Sequence, residues 1–198
     1  MGARLAGTYE LELVDVVRRV IARAPAQVID VGAAEGYYSL GLARSLPAAS
    51  VLSFDIDPAA RRLCAAGAAL NDVDNIDVRG RINPRELKRH LRPGAFVLSD
   101  CEGYEWELLD PELVPALRSS IVLVELHEFC RPGVTREILS RFDKTHALTL
   151  IDATPRDRSV APHLTHLMGD EIDRALDEGR PTDPHPMQWA YLEPDRGD

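Results

Sequence analysis

The chain has 198 residues, of which 45% are hydrophobic and 28% charged, the make-up of a globular domain with one full-sized core. Its formal net charge of -9 argues against a broad grip on nucleic acid or an anionic membrane, and no apolar run is long enough to span a bilayer. The opening MGARLAGTYE lacks the apolar core of an export signal, and Cys64, Cys101 and Cys130 form no CxxC pair. Both features suit a reducing cytoplasm.

Apolar runs then alternate with helix-like stretches. In the N-terminal region, residues 1–25, GTYELELVDVVRRVIARA carries Leu11, Leu13, Val14, Val17, Val20 and Ile21 at near-helical spacing, which predicts a helix. QVIDV is short, β-branched and almost unbroken, as in a parallel strand buried on both faces. YYSLGLARSL reads as a helix that Pro47 closes, and VLSFDID as a second strand. PAARRLCAAGAALND opens a helix with Pro58 at its start. IDVRGRI is a third strand, followed by the short basic helix PRELKRHL. AFVLSD is a fourth strand with a helix starting at Glu105, and IVLVELHE is a fifth, with a helix from Thr135 to Phe142. HALTLID and MQWAYLEP are the last two strands. The alternation predicts an α/β, Rossmann-like, doubly wound sheet of seven mostly parallel strands with an antiparallel last strand, in one domain over residues 1–198. The long connection 153–186 reads either as a lid over a substrate or as a solvated excursion, with a helix near Asp170 to Glu178.

VIDVGAAEGYYSL raises the functional question. A strand, a glycine turn and a helix start make a site for the polar part of a nucleotide-like ligand. The dinucleotide fingerprint GxGxxG does not fit, because counting from Gly32 its second and third glycines fall on Ala34 and Tyr37. Asp30, Gly32 and Gly36 give DxGxxxG instead, a spacing that suits S-adenosylmethionine, which has no pyrophosphate to cradle, and Ala34 inside the turn is placed at the cofactor with them. An acid about 20 residues on should accept the ribose hydroxyls. Asp55 in SFDIDP takes that role, with Ile56 beside it, while Asp57 before Pro58 is the natural helix N-cap.

These stretches resemble the FkbM-type family of class I S-adenosylmethionine-dependent methyltransferases. VIDVGAAEGYYSLGLA resembles that family's first motif, SFDIDP its ribose position, SDCEGYEWELL its acidic motif after the fourth strand, and VELHE its fifth-strand end. The resemblance implies methyl transfer from S-adenosylmethionine to a hydroxyl of a secondary metabolite or sugar, so the partner is a small-molecule or glycan acceptor. Nucleic acid and membrane are not expected as partners, and oligomeric state is unreadable. An NAD-dependent oxidoreductase and a cofactor-binding protein without catalysis are the alternatives.

Ligands in such sheets bind at the carboxyl ends of the strands. Asp100, Glu102 and Glu105 follow the fourth strand, and Glu125, His127 and Glu128 end the fifth. Asp100 is placed at both the donor and the acceptor. His127, whose ordinary pKa is near neutral, is the expected general base, with Asp100 as the alternative. Glu102, Glu125 and Glu128 are expected on the substrate side. Glu125 and His127 can converge, since they are two apart on a strand, whereas Glu128 points elsewhere. No metal is expected, because no spacing motif enforces one; a divalent cation on Asp100, Glu125 and His127 is the minor alternative. Glu10 is placed at the donor's ammonium, beside Tyr9, or else starts a helix. Tyr37 and Tyr38 line the acceptor pocket or pack in the helix core. RGRINPRELKRHLR is read as a solvated basic face, or else as a patch that attracts an anionic acceptor.

Overall fold

Each strand sends alternate side chains to opposite faces of one sheet, and this alternation splits the core in two. The computed structural model describes residues 2–153, 159, 161–164, 169–178 and 187–195. The strands are β1 (Gln27–Val31), β2 (Ser50–Phe54), β3 (Ile76–Arg79), β4 (Phe96–Ser99), β5 (Ile121–Leu126), β6 (His146–Asp152) and β7 (Gln188–Pro194). The helices are α1 (Gly2–Ala6), α2 (Val14–Arg23), α3 (Tyr37–Ser45), α4 (Pro58–Leu70), α5 (Pro84–His90), α6 (Glu105–Leu108), α7 (Val134–Phe142) and α8 (Asp170–Leu176). Ile29, Leu52, Val97, Val122 and Val124 face one way, against Leu87 of α5, Leu108 of α6 and Ile138 and Phe142 of α7. Val28, Val51, Phe96, Leu98 and Leu123 face the other way, against Val16 and Val20 of α2 and Leu42 of α3. Buried on both faces, the central strands carry no room for solvated residues, which is why they read as apolar runs.

The strand order is β3-β2-β1-β4-β5-β7-β6. β1 to β5 run parallel, while β7 is antiparallel to both β5 and β6. The seven-stranded Rossmann-like sheet with its antiparallel last strand is therefore as the sequence predicts. The order reverses between β1 and β4, and the crevice at that switch lies at their carboxyl ends.

Helix starts follow their local chemistry. The Asp57 side chain accepts the Ala59 N–H at 2.8 Å, with Pro58 at the first helical position of α4. Asn83 and Glu86 cap α5 reciprocally. The single helix expected across residues 7–24 is instead broken: α1 ends before Gly7 (φ +70°), Glu10 takes a left-handed conformation at φ +47°, and a 3-10 turn (Leu11–Leu13) leads into α2. β3 stops at Arg79, short of the expected IDVRGRI, and β5 stops at Leu126, where the chain turns as the Glu128 N–H bonds the Leu126 carbonyl at 3.0 Å. Most of the connection 153–186 lies outside the described residues; within it α8 packs on α1 and buries Ile172 and Leu176.

The two motif glycines have packing reasons. A Cβ on Gly32 (φ +82°) would sit 1.6 Å from the Asp100 carbonyl oxygen, and one on Gly36 (φ +91°) 2.5 Å from Cys64 Sγ. The bare backbone thus admits a neighbouring strand end and a neighbouring helix. Gly41, exposed in α3, has open space around it. Gly32→Ala should destabilise the protein by at least about 3 kcal/mol. Gly41→Ala should stabilise it by about 0.5–1 kcal/mol. Thermal melts of the two variants check both; a near-silent Gly32→Ala would refute the close approach.

Candidate functional site

A cavity of about 1170 Å³ opens at the carboxyl ends of β1, β2, β4 and β5, ample for a nucleoside-sized ligand plus a second molecule. At one end the turn after β1 and the acid after β2 are built together. The Gly32 and Ala33 N–H groups donate to the Phe54 carbonyl at 2.9 and 3.1 Å. Ala34, left-handed at φ +47°, donates its N–H to Asp55 Oδ2 at 2.8 Å, and the Asp57 N–H reaches Asp55 Oδ1 at 2.7 Å. Asp55 therefore fixes the turn while standing on the cavity wall beside Gly32, Ala34 and Ile56. Each of its oxygens keeps a second lone pair for a ligand hydroxyl. Ile56 is 77% exposed, an apolar flank that the flat face of a base would cover.

Asp30 does not reach the wall. It is buried beneath the turn, where Ser39 Oγ donates to its Oδ2 at 2.5 Å and also contacts Ser53 Oγ at 2.9 Å. Burial pushes its carboxyl up to about 7, against the Ser39 hydrogen bond. Gly36, the N-cap of α3, likewise acts through packing.

The N-terminal segment closes a second side. Glu10 is buried on the wall, accepts the Tyr38 hydroxyl, and donates its own N–H to Glu178 Oε1 at 2.9 Å. Arg4 pairs with Glu35 and lies 4.4 Å from the centre of the Tyr9 ring, which meets Tyr37 edge-on at 5.1 Å. Burial, reinforced by Glu10, holds the Tyr38 hydroxyl far above its usual range and therefore protonated. Tyr37 and Tyr38 are not among the wall residues: they support Glu10 and Tyr9 from behind.

At the opposite end the two acidic segments meet. Asp100, Glu102 and Glu125 line the cavity. His127 stands behind them, fully buried, with Nδ1 2.9 Å from Glu105 Oε1 and Nε2 3.4 Å from Asp100 Oδ1 and 3.5 Å from both Glu125 Oε2 and Glu102 Oε2. Glu105 Oε1 also accepts the Cys101 N–H at 2.9 Å, which fixes that carboxylate. Burial works against an imidazolium here, but the Glu105 hydrogen bond and the surrounding carboxylates outweigh it, so the His127 pKa is raised. Burial likewise works against the Glu105 anion, yet His127 and the Cys101 N–H bring its pKa below the usual range. Asp100 moves the other way: burial raises its pKa despite a hydrogen bond from Glu125 and the nearby His127. Glu128 is turned away, accepting from the Gly133 N–H and, at 3.1 and 2.8 Å, from the Thr135 N–H and hydroxyl at the start of α7.

Of the residues expected at the site, Gly32, Ala34, Asp55, Ile56, Glu10, Asp100, Glu102 and Glu125 stand on the wall, while Asp30, Gly36, Tyr37, Tyr38, His127 and Glu128 do not. The wall also holds Gly80, Arg81 and Ile82 just past β3, and Tyr104, Phe129 and Glu178. Gly80 inside the expected strand IDVRGRI is the signal that could have found the first group; Glu178 reaches the site only through tertiary packing. Arg79, by contrast, pairs with Asp77 on the surface at 2.6 Å.

Comparisons with solved structures show that the fold is shared with several methyltransferases. The O-methyltransferase TomG from Streptomyces achromogenes, solved in complex with S-adenosylmethionine, matches with a TM-score of 0.57 over 92% of this chain and 78% of its own, at 16% identity. An O-methyltransferase described as putative, from Klebsiella pneumoniae, matches with 0.57 over 92% and 79%, at 13% identity. WbdD, a bifunctional kinase-methyltransferase, matches with 0.55 at 21% identity over 92% of this chain, which spans only 38% of WbdD. At these identities the likeness is one of fold. No protein-family model matches the chain, and no curated protein matches it.

The buried acid beneath the turn generates a pH test. The native protein keeps a proton on Asp30 up to pH about 7, whereas the unfolded carboxyl loses it near pH 4. Native stability is therefore eroded as pH rises between those values, by about 4 kcal/mol in all, and the loss levels off above them. Asp30→Asn should gain on the wild type across that window in chemical denaturation at pH 4.5, 6 and 7.5. A difference between the two proteins that stays constant with pH would refute the assignment.

Proposed function

We propose that the protein is an S-adenosylmethionine-dependent methyltransferase of FkbM type that methylates a hydroxyl on a small molecule or glycan in the cytoplasm. The observation that carries this reading is one cavity with two chemically different ends: a turn locked to Asp55 at one, and the paired carboxyl groups of Asp100 and Glu125 at the other. The methyltransferase folds of TomG and WbdD support it. Among the described residues no helix is long and apolar enough to cross a membrane.

The residues present fit the donor. Asp55 would accept the ribose hydroxyls, and Ile56 and Ile82 would flank the base. Glu10 would attract the ammonium of the methionine end, and Asp100 would border both donor and acceptor. Bound S-adenosylmethionine supplies a methyl group already activated on a sulfonium. What remains for the chain is alignment and removal of the acceptor's proton. Asp100 and Glu125 are the groups on the wall that can hold an acceptor hydroxyl. Burial makes the Asp100 carboxylate more basic than usual, so one of its oxygens takes the hydroxyl proton. His127, shielded from the cavity, acts as a positioning residue that keeps both carboxyl groups aimed.

The NAD-dependent alternative loses support from the turn. Ala34 occupies the place of the fingerprint's second glycine and carries its side chain at φ +47°, and Tyr37, in the third place, already belongs to α3. Calorimetry should show S-adenosylmethionine and S-adenosylhomocysteine binding and NAD not binding. Asp55→Ala should weaken donor affinity at least about 10-fold, the loss of two ribose hydrogen bonds. Transfer of labelled methyl to a fractionated extract then separates enzyme from silent binder. With the acceptor so found, Asp100→Asn should lower kcat about 100-fold or more with donor affinity kept. Donor binding without transfer to any fraction would favour the non-catalytic alternative, and full activity in Asp100→Asn would overturn its role.

A further inference from the structure

We propose that Asp100, Glu125 and His127 form a binding site for one divalent transition cation of the zinc type, at the acceptor end of the cavity. This rests on the reading of that end as the acceptor's, and deepens it. Asp100 comes from the end of β4, Glu125 from β5 and His127 from the residue after it, yet one ligand atom from each lies within 4.8 Å of the others.

A cluster of acids alone would not carry this conclusion. The second observation is His127 Nε2. The ring is 0% exposed and its Nδ1 is held by Glu105 at 2.9 Å, while Nε2 makes no hydrogen bond. It is nonetheless aimed at Asp100 Oδ1 (3.4 Å) and Glu125 Oε2 (3.5 Å). Those gaps are too long for good charge-assisted hydrogen bonds, which run near 2.8 Å. They match the separation of ligands sharing a tetrahedral ion: bonds of about 2.1 Å put neighbouring ligand atoms about 3.4 Å apart. An octahedral ion with the same separations would need bonds of about 2.4 Å, too long for magnesium.

The surroundings complete the pattern. A histidine that ligates a metal usually gives its other ring N–H to a carboxylate, which fixes the tautomer and orients the ring. Glu105, fully buried and itself held by the Cys101 N–H, stands in that position. One imidazole with two carboxylates suits zinc or a similar borderline ion better than calcium, which prefers an all-oxygen shell. Asp100 and Glu125 also stand on the cavity wall, so a fourth position would open toward the acceptor. A hydroxyl there would be more acidic, and the Asp100 oxygen not on the ion would remain to take its proton. Glu102, exposed on the same wall and 3.5 Å from Nε2, borders that opening.

The test uses the full chain stripped with chelator and titrated with zinc chloride by calorimetry. Expected is one equivalent bound, with binding weakened at least 100-fold in His127→Ala and in Asp100→Asn, and roughly 10- to 100-fold in Glu105→Gln. Cys130→Ser, which removes an exposed thiol outside the cluster, should bind as the wild type does. Absence of saturable binding, or binding that survives in folded His127→Ala, overturns the site. If that variant fails to fold, cobalt(II) added to the wild type decides. Intense visible bands of a four-coordinate nitrogen-oxygen site support the proposal; weak six-coordinate bands or a thiolate charge-transfer band overturn it. Calorimetry with S-adenosylhomocysteine on the same stripped protein keeps the two readings apart. Zinc binding without nucleoside binding defeats the methyltransferase reading alone, and nucleoside binding without zinc defeats the metal site alone.

Discussion

The protein is organised around a place where two strands end too close together for any side chain to stand between them. The backbone of Gly32, leaving β1, passes the carbonyl of Asp100, leaving β4, with no room for a Cβ. Because Asp100 N–H also bonds the Val31 carbonyl at 2.9 Å, the two ends are held as one piece. The turn that would receive a donor and the acid that would meet an acceptor are therefore fixed relative to each other by backbone alone. Side chains then specialise the two ends. Asp55 holds the turn through the Ala34 N–H and its own loop through the Asp57 N–H, so the turn keeps its form without depending on a ligand.

At the far end the charge is handled differently. Four carboxyl groups surround one imidazole, and a low-dielectric interior would ordinarily reject that much like charge. Glu105 stays ionised against His127, while burial raises the pKa of Asp100 in spite of a hydrogen bond from Glu125 and the nearby imidazole. The repulsion is thus eased by the imidazole and by hydrogen bonds within the group.

Much of this was legible in the sequence. β-branched runs gave the strands, and the spacing of Asp30, Gly32, Gly36 and Asp55 gave the turn and its acid. The reason for the glycines was not legible, because it depends on which strand end and which helix lie beside them: Asp100 and Cys64 are 68 and 28 positions away (100 − 32 and 64 − 36). Pattern also placed Glu125 and His127 on one side of a strand, but could not show that Asp100 and Glu125 would come between the imidazole and the cavity. The N-terminal helix failed as a single element because periodicity does not register Gly7 and the left-handed turn at Glu10. Tyr37 and Tyr38 were ambiguous for a related reason: what they pack against, Tyr9 and Glu10, is fixed by that same unpredicted turn.

The pairing of β6 with β7 has a consequence for how such a chain can diversify. Asp152 lies opposite Gln188, and the Ala153 N–H bonds the Met187 carbonyl at 3.1 Å, so the two strands are fastened at the neck where the chain leaves the sheet and returns. Met187 at that neck stands on the cavity wall, and Trp189 of β7 pairs with Glu125 of β5. Loop closure becomes only slowly more costly with length, about 0.6 kcal/mol per doubling. Insertions, deletions or wholesale exchange there would reach the wall at Met187 and, through Glu178 and its bond to the Glu10 N–H, the N-terminal side of the same cavity, letting one scaffold be retuned for new molecules through a single splice.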